Sequence, residues 1–215
     1  MKNYKISRLQ FMLTTLFVVC LLVSNIIVGK QIELPYNIII TGGELLFPIT
    51  YIMSDLFSEV YGYRWSRTTC YVAFACNVFM VSIFALVLMM PYPDYWTSQS
   101  AFETVLGNTP RVLLASSLAF VVGDFVNDRV FRLLKRKHPD SHDGFGFRAI
   151  VSSFFGQITD SLIFMPIAFI GVMPVEAIIQ LIVIQVVIKT GYEFLILPLN
   201  KILVRKVSAY ENATS

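Results

Sequence analysis

The stretch IVSSFFGQITDSLIFMPIAFIGV, residues 150–172, decides the fold class, because it is apolar enough to enter a membrane yet carries Asp160 near its middle. A spanning α-helix needs about 20 mostly apolar residues. An ionisable side chain at bilayer depth costs at least ~2.5–3.5 kcal/mol on insertion scales, so such residues are rare and face a bundle interior. The stretch therefore predicts one helix of a membrane bundle with a polar interior.

The composition of the whole chain agrees with this prediction. Of its 215 residues, 56% are hydrophobic and 14% are charged, and the mean hydropathy is +0.67. A soluble domain carries about 25% charged residues. The length fits one transmembrane domain over residues 1–215. The basic residues lie between apolar segments and form no stripe, so no nucleic-acid partner is expected. The three scattered cysteines predict core packing, with neither a disulfide framework nor a metal site.

Length and hydropathy predict six membrane spans, at about residues 9–28, 44–61, 69–90, 108–127, 148–170 and 174–199. The first is longer than the apolar core of a typical signal peptide, so we expect a retained helix. Residues 34–43 (LPYNIIITGG) are too short to span and are predicted to form a re-entrant or extended connection covering the bundle mouth. Residues 91–107 are predicted to be a loop with interfacial aromatic side chains.

The lysines and arginines predict the orientation. With six spans, one side holds Lys30 and Arg111, and Lys189 lies within a span; the other 14 of the 17 basic residues share the side of both termini. The positive-inside rule places that side in the cytoplasm. We therefore expect an all-α, six-helix, multi-pass protein of the bacterial inner membrane, with both termini cytoplasmic.

Two predicted spans carry acids near their cytoplasmic ends. The second places Tyr51, Asp55 and Glu59 on one face, and the fourth places Asp124, Asn127 and Asp128 close together. Both spans run from outside to inside, so their acids approach the helix end whose dipole disfavours anions. We expect neighbouring arginines to offset this, namely Arg64, Arg67, Arg129 and Arg132. The alternative to a binding role is an ion-pair belt that fixes the helix ends.

The fifth and sixth spans place polar groups deeper. The fifth carries one stripe of Arg148, Ser152, Gly156 and Asp160 beside a second of Ser153, Gln157 and Ser161. Small residues on such a stripe allow close helix contact. The sixth span carries Gln185, Lys189 and Glu193 on one face, and the first adds Asn25. Lys189 has two predicted partners, Glu193 one turn away or Asp160 on another helix.

These side chains favour a neutral or cationic polar solute. A carboxylate accepts two hydrogen bonds from adjacent N–H donors, such as the N1–H and 2-amino group of a guanine-like edge. Phe47, Tyr51 or Tyr192 can stack on a ring. The predicted substrate-binding residues are Asn25, Tyr51, Asp55, Glu59, Asp124, Asn127, Asp128, Gln157, Asp160, Gln185, Lys189 and Glu193. From the residues alone, the solute is not identified.

Four segments resemble the queuosine precursor transporter family: FPITYIMSDLFSEVYGYR (47–64), GDFVND (123–128), Arg148 through QITDS (157–161), and IKTGYEFLILPL (188–199). The resemblance implies a six-helix inner-membrane importer of 7-deazaguanines, namely the 7-cyano or 7-aminomethyl compound or queuine. It also implies a fold similar to the substrate-binding components of energy-coupling-factor vitamin transporters. The positions carried over from the motifs are Asp55, Glu59, Asp124, Asp128, Gln157 and Asp160.

Other function classes are weighed against this resemblance. The chain could import another vitamin-like or nucleobase-like solute. A membrane enzyme is not expected, because Pro139 separates the only histidines, His138 and His142, and no catalytic triad or phosphate loop occurs. No cofactor or metal is expected. A non-transporting scaffold would carry charge at helix ends, which Asp160 contradicts. Energy coupling stays open: without a nucleotide-binding motif, ATP dependence would need a coupling partner, and a homo-oligomer is a further possibility.

Overall fold

The computed structural model describes residues 6–137 and 144–214 of this chain. In chain order its helices are α1 (Arg8–Ile27), α2 (Phe47–Leu56), α3 (Tyr63–Met89), α4 (Gln99–Leu106), α5 (Thr109–Lys137), α6 (Gly144–Phe169) and α7 (Val175–Thr214), and its strands are β1 (Gln31–Leu34) and β2 (Ile38–Thr41). The chain divides into two compact units. The first unit comprises residues 1–30, 41–107 and 192–215, and the second comprises residues 31–40 and 108–191.

Five segments of the described chain are long and apolar enough to cross a membrane: Arg8–Ile27, Tyr63–Met89, Gln99–Lys135, Ile150–Phe169 and Val175–Ile196. They coincide with five of the six predicted spans and confirm an all-α, multi-pass membrane protein. The predicted second span, 44–61, differs from them. It consists of a 3₁₀ turn (Gly42–Leu45), α2 and a π-helical segment (Phe57–Tyr61). At ~1.5 Å per residue, residues 47–61 reach only about 22 Å. The six-span count and the orientation therefore stay predictions.

The first unit is held together by an aromatic and apolar cluster between α1, α2 and α3. Phe17, Met53, Phe57 and Ala73 are each at most 6% exposed. The rings of Phe17 and Phe57 meet edge to face, with their centroids 5.6 Å apart. Such aromatic pairs stabilise by ~0.5–1.5 kcal/mol beyond their buried area. The π-helical segment is thus anchored by Phe57, which is 1% exposed.

The predicted connection over residues 34–43 takes the extended form. β1 and β2 pair as a two-stranded hairpin, joined by a tight turn over Pro35–Asn37. Tyr36 and Asn37 adopt left-handed conformations, with φ of 70° and 60°. Asparagine tolerates this region well, and consecutive left-handed residues suit the twist of a tight hairpin. The extended alternative is confirmed.

The prediction of an unbroken loop over residues 91–107 is wrong, because α4 occupies Gln99–Leu106. The helix is short and amphipathic, and its Phe102 ring packs on Trp96 at a centroid distance of 5.7 Å. The segment AFETVL is too short to show a clear helical period, and the prolines before it, Pro91 and Pro93, favour a loop.

In the second unit, α5 and α6 pack closely because two glycines face each other. A Cβ atom added to Gly156 would lie 3.0 Å from Asn127 Cβ and 3.1 Å from the Gly123 carbonyl oxygen. Only glycine permits this approach of two backbones, so the close contact predicted from the small-residue stripe is confirmed. At one end of the pair, the Arg111 guanidinium donates to the carbonyl oxygens of Ile167 and Ile170, at 2.5 Å each. It thereby satisfies carbonyls that the end of α6 leaves without a helical partner.

Candidate functional site

The structure divides the predicted site residues between the two units. The first unit holds Asn25, Tyr51, Asp55, Glu59 and Glu193. The second holds Asp124, Asn127, Asp128, Gln157, Asp160, Gln185 and Lys189. Each unit therefore contains acids and amides of its own.

The centre of the polar group in the second unit is an ion pair between α6 and α7. Lys189 Nζ donates to Asp160 Oδ2 at 2.7 Å, and the two side chains are 5% and 29% exposed. The pairing between helices that was predicted for Lys189 is present in the structure. A buried ammonium requires such a carboxylate, because desolvation of an isolated ion costs several kcal/mol. Asp160 Oδ1 has no hydrogen-bond partner among the described residues, and the side chain is the more accessible member of the pair.

Further polar groups lie along the same stretches of α6 and α7. Thr190 Oγ1 donates to Gln157 Oε1 at 3.1 Å. Gln185 lies one turn before Lys189 and is 2% exposed, and its Oε1 atom is buried with no hydrogen-bond partner in the described part of the chain. The same holds for the hydroxyl of Ser161, which is 0% exposed. An unsatisfied buried polar atom costs about 1–3 kcal/mol, so these are atoms that a polar ligand would satisfy.

Ser161 was not among the predicted site residues. The sequence contained the signal, because Ser161 shares the Gln157 stripe, four residues away. A serine in a membrane helix usually bonds to its own backbone, as Thr159 does here by donating to the Phe155 carbonyl at 2.9 Å. Only the structure shows that Ser161 does not do so.

The three polar residues predicted on α5 have different surroundings. Asn127 lies at the glycine crossing, where its Cβ approaches Gly156, and it is half-buried, as is Asp124. Asp128 is exposed and pairs with Arg132 at 2.7 Å, with side chains 66% and 70% exposed. An exposed pair of this kind contributes about 0.2–1 kcal/mol. Arg132 is one of the arginines predicted to offset the acids. For Asp128 the structure therefore agrees with the alternative to a binding role, an ion pair near the helix end.

In the first unit, Asp55 is held by a residue that the sequence did not predict. Asn200 Nδ2 donates to Asp55 Oδ2 at 2.5 Å. Asn200 is 8% exposed and lies on α7 just beyond the predicted end of the sixth span at 199, where the sequence predicts no membrane-embedded polar residue. Asp55 and Glu59 are both exposed, whereas Phe57 between them is buried. The continuous helix formed by α2 and the π-helical segment therefore has an apolar anchor and an acidic side.

Asn25 and Tyr51, also predicted in the first unit, have partners inside it. Asn25 Nδ2 donates to Asn77 Oδ1 at 2.6 Å, and Asn77 also donates to the Ala73 carbonyl at 3.0 Å. Asn77 is 4% exposed, which makes this pair a structural link between α1 and α3. The Tyr51 ring lies 6.2 Å from that of Phe47, and the two planes are tilted by 32°. Tyr192 and Glu193 are half-buried on α7.

Among the described residues, no group of histidine, cysteine and acidic side chains could hold a metal ion. His138 and His142, the only histidines, lie outside the described residues. The polar group of the second unit combines carboxylates, amides and hydroxyls with the buried ammonium of Lys189.

Comparison with known proteins points to transport. The sequence model of a family described as "Putative vitamin uptake transporter" matches residues 41–203, a range that contains every predicted site residue except Asn25. A protein of Bacillus subtilis (strain 168), named "Probable queuosine precursor transporter", is 27% identical over 175 residues, which cover 81% of this chain and 76% of the relative. The predicted resemblance is thereby confirmed. No solved structure matches the chain significantly.

Proposed function

We propose that this chain, which belongs to the vitamin uptake transporter family, imports a 7-deazaguanine precursor of queuosine for tRNA modification. A multi-pass membrane transporter is the role that family and fold establish. The observation that carries the substrate class is the relative named for queuosine precursor transport, which aligns with four fifths of the chain. The polar residues described above supply a mechanism for recognition.

In the proposed mechanism, Asp160 and Lys189 together form hydrogen bonds with one edge of the base. Asp160 Oδ2 accepts from Lys189. In the proposal, Oδ1 and the remaining lone pair of Oδ2 accept from the N1–H and the 2-amino group of a guanine-like edge. An ammonium has three N–H donors, so Lys189 can also donate to the neighbouring carbonyl of the base. Hydrogen bonds to charged groups contribute about 1.5–3 kcal/mol each. The buried Gln185 Oε1 and Ser161 hydroxyl offer further acceptors on the same two helices.

Asp55 is the second acid that could hold the base. It belongs to the motif with the strongest family resemblance, and its bond to Asn200 fixes one oxygen. We favour Asp160, because it lies within a candidate span beside a buried ammonium, whereas Asp55 lies on the shorter helical segment.

The test is complementation of queuosine synthesis. A bacterial host that lacks both precursor synthesis and its own importer is given this chain and fed low concentrations of each of the three precursors. Queuosine in its tRNA should reappear with at least one of them. The matched control is Glu103→Gln, which removes an exposed acid on α4 that belongs to neither the motifs nor the predicted site and should complement normally. No recovery with any precursor, despite confirmed membrane insertion, would refute the substrate class.

The family description favours a second candidate, a different vitamin-like solute. A third is the scaffold predicted from sequence as the alternative class. Thermal unfolding of the purified protein separates the three. A 7-deazaguanine should raise the melting temperature if it is the substrate, another vitamin should do so if the second candidate is right, and a scaffold should respond to neither.

A further inference from the structure

Two side chains that are distant in sequence, Ser7 and Tyr61, meet at the carboxylate of Glu211 in the first unit. Glu211 Oε1 accepts a hydrogen bond from Ser7 Oγ at 2.6 Å and another from Tyr61 Oη at 2.7 Å. Ser7 precedes α1, Tyr61 ends the π-helical segment, and Glu211 lies near the end of α7. We call this group the Glu211 latch.

The position of the carboxylate is favourable for two reasons. Ser7 is the N-cap of α1, and its hydroxyl oxygen accepts from the Gln10 backbone N–H at 2.9 Å. Glu211 therefore lies at the positive end of the α1 dipole, where an anion is stabilised by ~0.3–1 kcal/mol. Hydrogen bonds to an ionised acceptor are also about twice as strong as neutral ones. The latch is thus more than a chance surface contact.

Tyr61 connects the latch to the acidic side of the π-helical segment. Its ring packs against the core cluster of the first unit and lies 6.3 Å from the Phe57 ring. Asp55 lies on α2 and Glu59 on the π-helical segment that continues α2 without a break. Both acids are exposed and Phe57 between them is buried, so a rotation of this continuous helix would move both acids together. π-helical turns are rare in proteins, and a large share of those that occur lie at functional sites. A hydrogen bond that holds Tyr61 in place therefore also sets the direction in which Asp55 and Glu59 point.

We propose that Glu211 is a positioning residue, which holds the π-helical segment through Tyr61 and so sets the orientation of Asp55 and Glu59. In this way the end of α7, which lies beyond the predicted membrane span, contributes to a segment more than 100 residues away. The effect on uptake rests on the proposed function, whereas the effect on the π-helical segment does not.

The first experiment needs no substrate. Cys20, Cys70 and Cys76 are replaced by alanine, and Ser58→Cys, on the exposed acidic side, reports accessibility to a maleimide reagent in detergent. We expect Tyr61→Phe and Glu211→Ala each to raise the labelling rate about tenfold to hundredfold, since losing a hydrogen bond to a charged group shifts a local equilibrium by about one to two orders of magnitude.

Two comparisons make this result specific. The double variant should label no faster than Glu211→Ala alone, because both substitutions remove the bond between Tyr61 and Glu211, and Glu211→Ala also removes the bond from Ser7. Glu211→Gln keeps an acceptor oxygen and should restore most of the slow labelling. The control is Tyr71→Phe, on an exposed tyrosine of α3, which should change nothing. Unchanged labelling in Tyr61→Phe, or additive effects in the double variant, would overturn the proposal.

Uptake then connects the latch to transport. In cells that complement with the parent chain, Tyr61→Phe should raise the KM for precursor uptake about threefold to tenfold and leave the maximal rate of correctly inserted protein nearly unchanged. A fall in protein amount with an unchanged KM would mean that the latch is only structural. If the parent chain takes up no precursor, the proposed function fails, and the labelling result still decides the latch.

Discussion

Replacing Asp160 by asparagine tests whether this residue recognises substrate or only neutralises Lys189. The substitution is nearly isosteric, so packing should survive. It removes the carboxylate 2.7 Å from an ammonium whose side chain is 5% exposed. Breaking a buried pair costs about 3–5 kcal/mol. Since the Asp160 side chain is 29% exposed and water reaches it, we expect a loss of about 2–3 kcal/mol in the free energy of unfolding.

The reverse substitution should be milder. Lys189→Met leaves the more accessible partner charged, so we expect a loss of about 1–2 kcal/mol, measured as the shift in thermal unfolding of the detergent-solubilised protein. The double variant Asp160→Asn with Lys189→Met removes both charges and should unfold near the parent temperature, because replacing a buried ion pair by neutral groups is often close to neutral in energy.

Uptake separates the two roles. If Asp160 and Lys189 read the base, the double variant should be stable yet show a tenfold to hundredfold weaker uptake affinity, from the loss of one charged hydrogen bond of about 1.5–3 kcal/mol. If the double variant regains both stability and full uptake, the ion pair is only structural and the assignment of Asp160 is wrong.

Two other predictions concern packing and topology. Gly156→Ala should lower the free energy of unfolding by about 1–3 kcal/mol, because the added Cβ would lie 3.0 Å from Asn127 Cβ. Gly191→Ala has nothing within 4 Å of the added Cβ and should raise the free energy of unfolding by up to ~1 kcal/mol. Thermal unfolding of both variants measures the two changes, and equal shifts would contradict the close crossing of α5 and α6. Reporter tags at both termini should be cytoplasmic and a tag beside Asp94 external, as the distribution of lysine and arginine predicts; an external C-terminus would mean that residues 47–61 do not cross the membrane.

The fold class could be predicted from sequence because hydropathy measures what a bilayer selects. The ends of the helices could not be predicted from hydropathy, because a helix can continue beyond the membrane into water, where its side chains are no longer apolar. The sixth span was predicted to end at 199, yet α7 continues to Thr214, and α5 continues to Lys137, beyond the predicted 127. Glu211 of the latch and Asn200 both lie on the extension of α7, which is why neither was predicted.

The residues of the site were partly predictable, and their partners were less so. A mid-span acid such as Asp160 stands out in any hydropathy profile, and so does Lys189. That Asp160 lies within reach of Lys189 depends on the distance between α6 and α7, which the sequence does not contain. By spacing alone, Glu193 is a candidate partner as well. Asn25 shows the opposite case, because its polar character suggested substrate binding, whereas the structure pairs it with Asn77 at 2.6 Å.

Uptake by the purified chain alone in liposomes tests the central claim most directly. Vesicles containing only this protein should accumulate labelled 7-cyano-7-deazaguanine, or one of its two relatives, above empty vesicles, and an excess of unlabelled compound should compete. The Asp160→Asn, Lys189→Met double variant, reconstituted to the same level, should take up far less. Correctly folded protein that neither binds nor accumulates any of the three compounds would contradict the account.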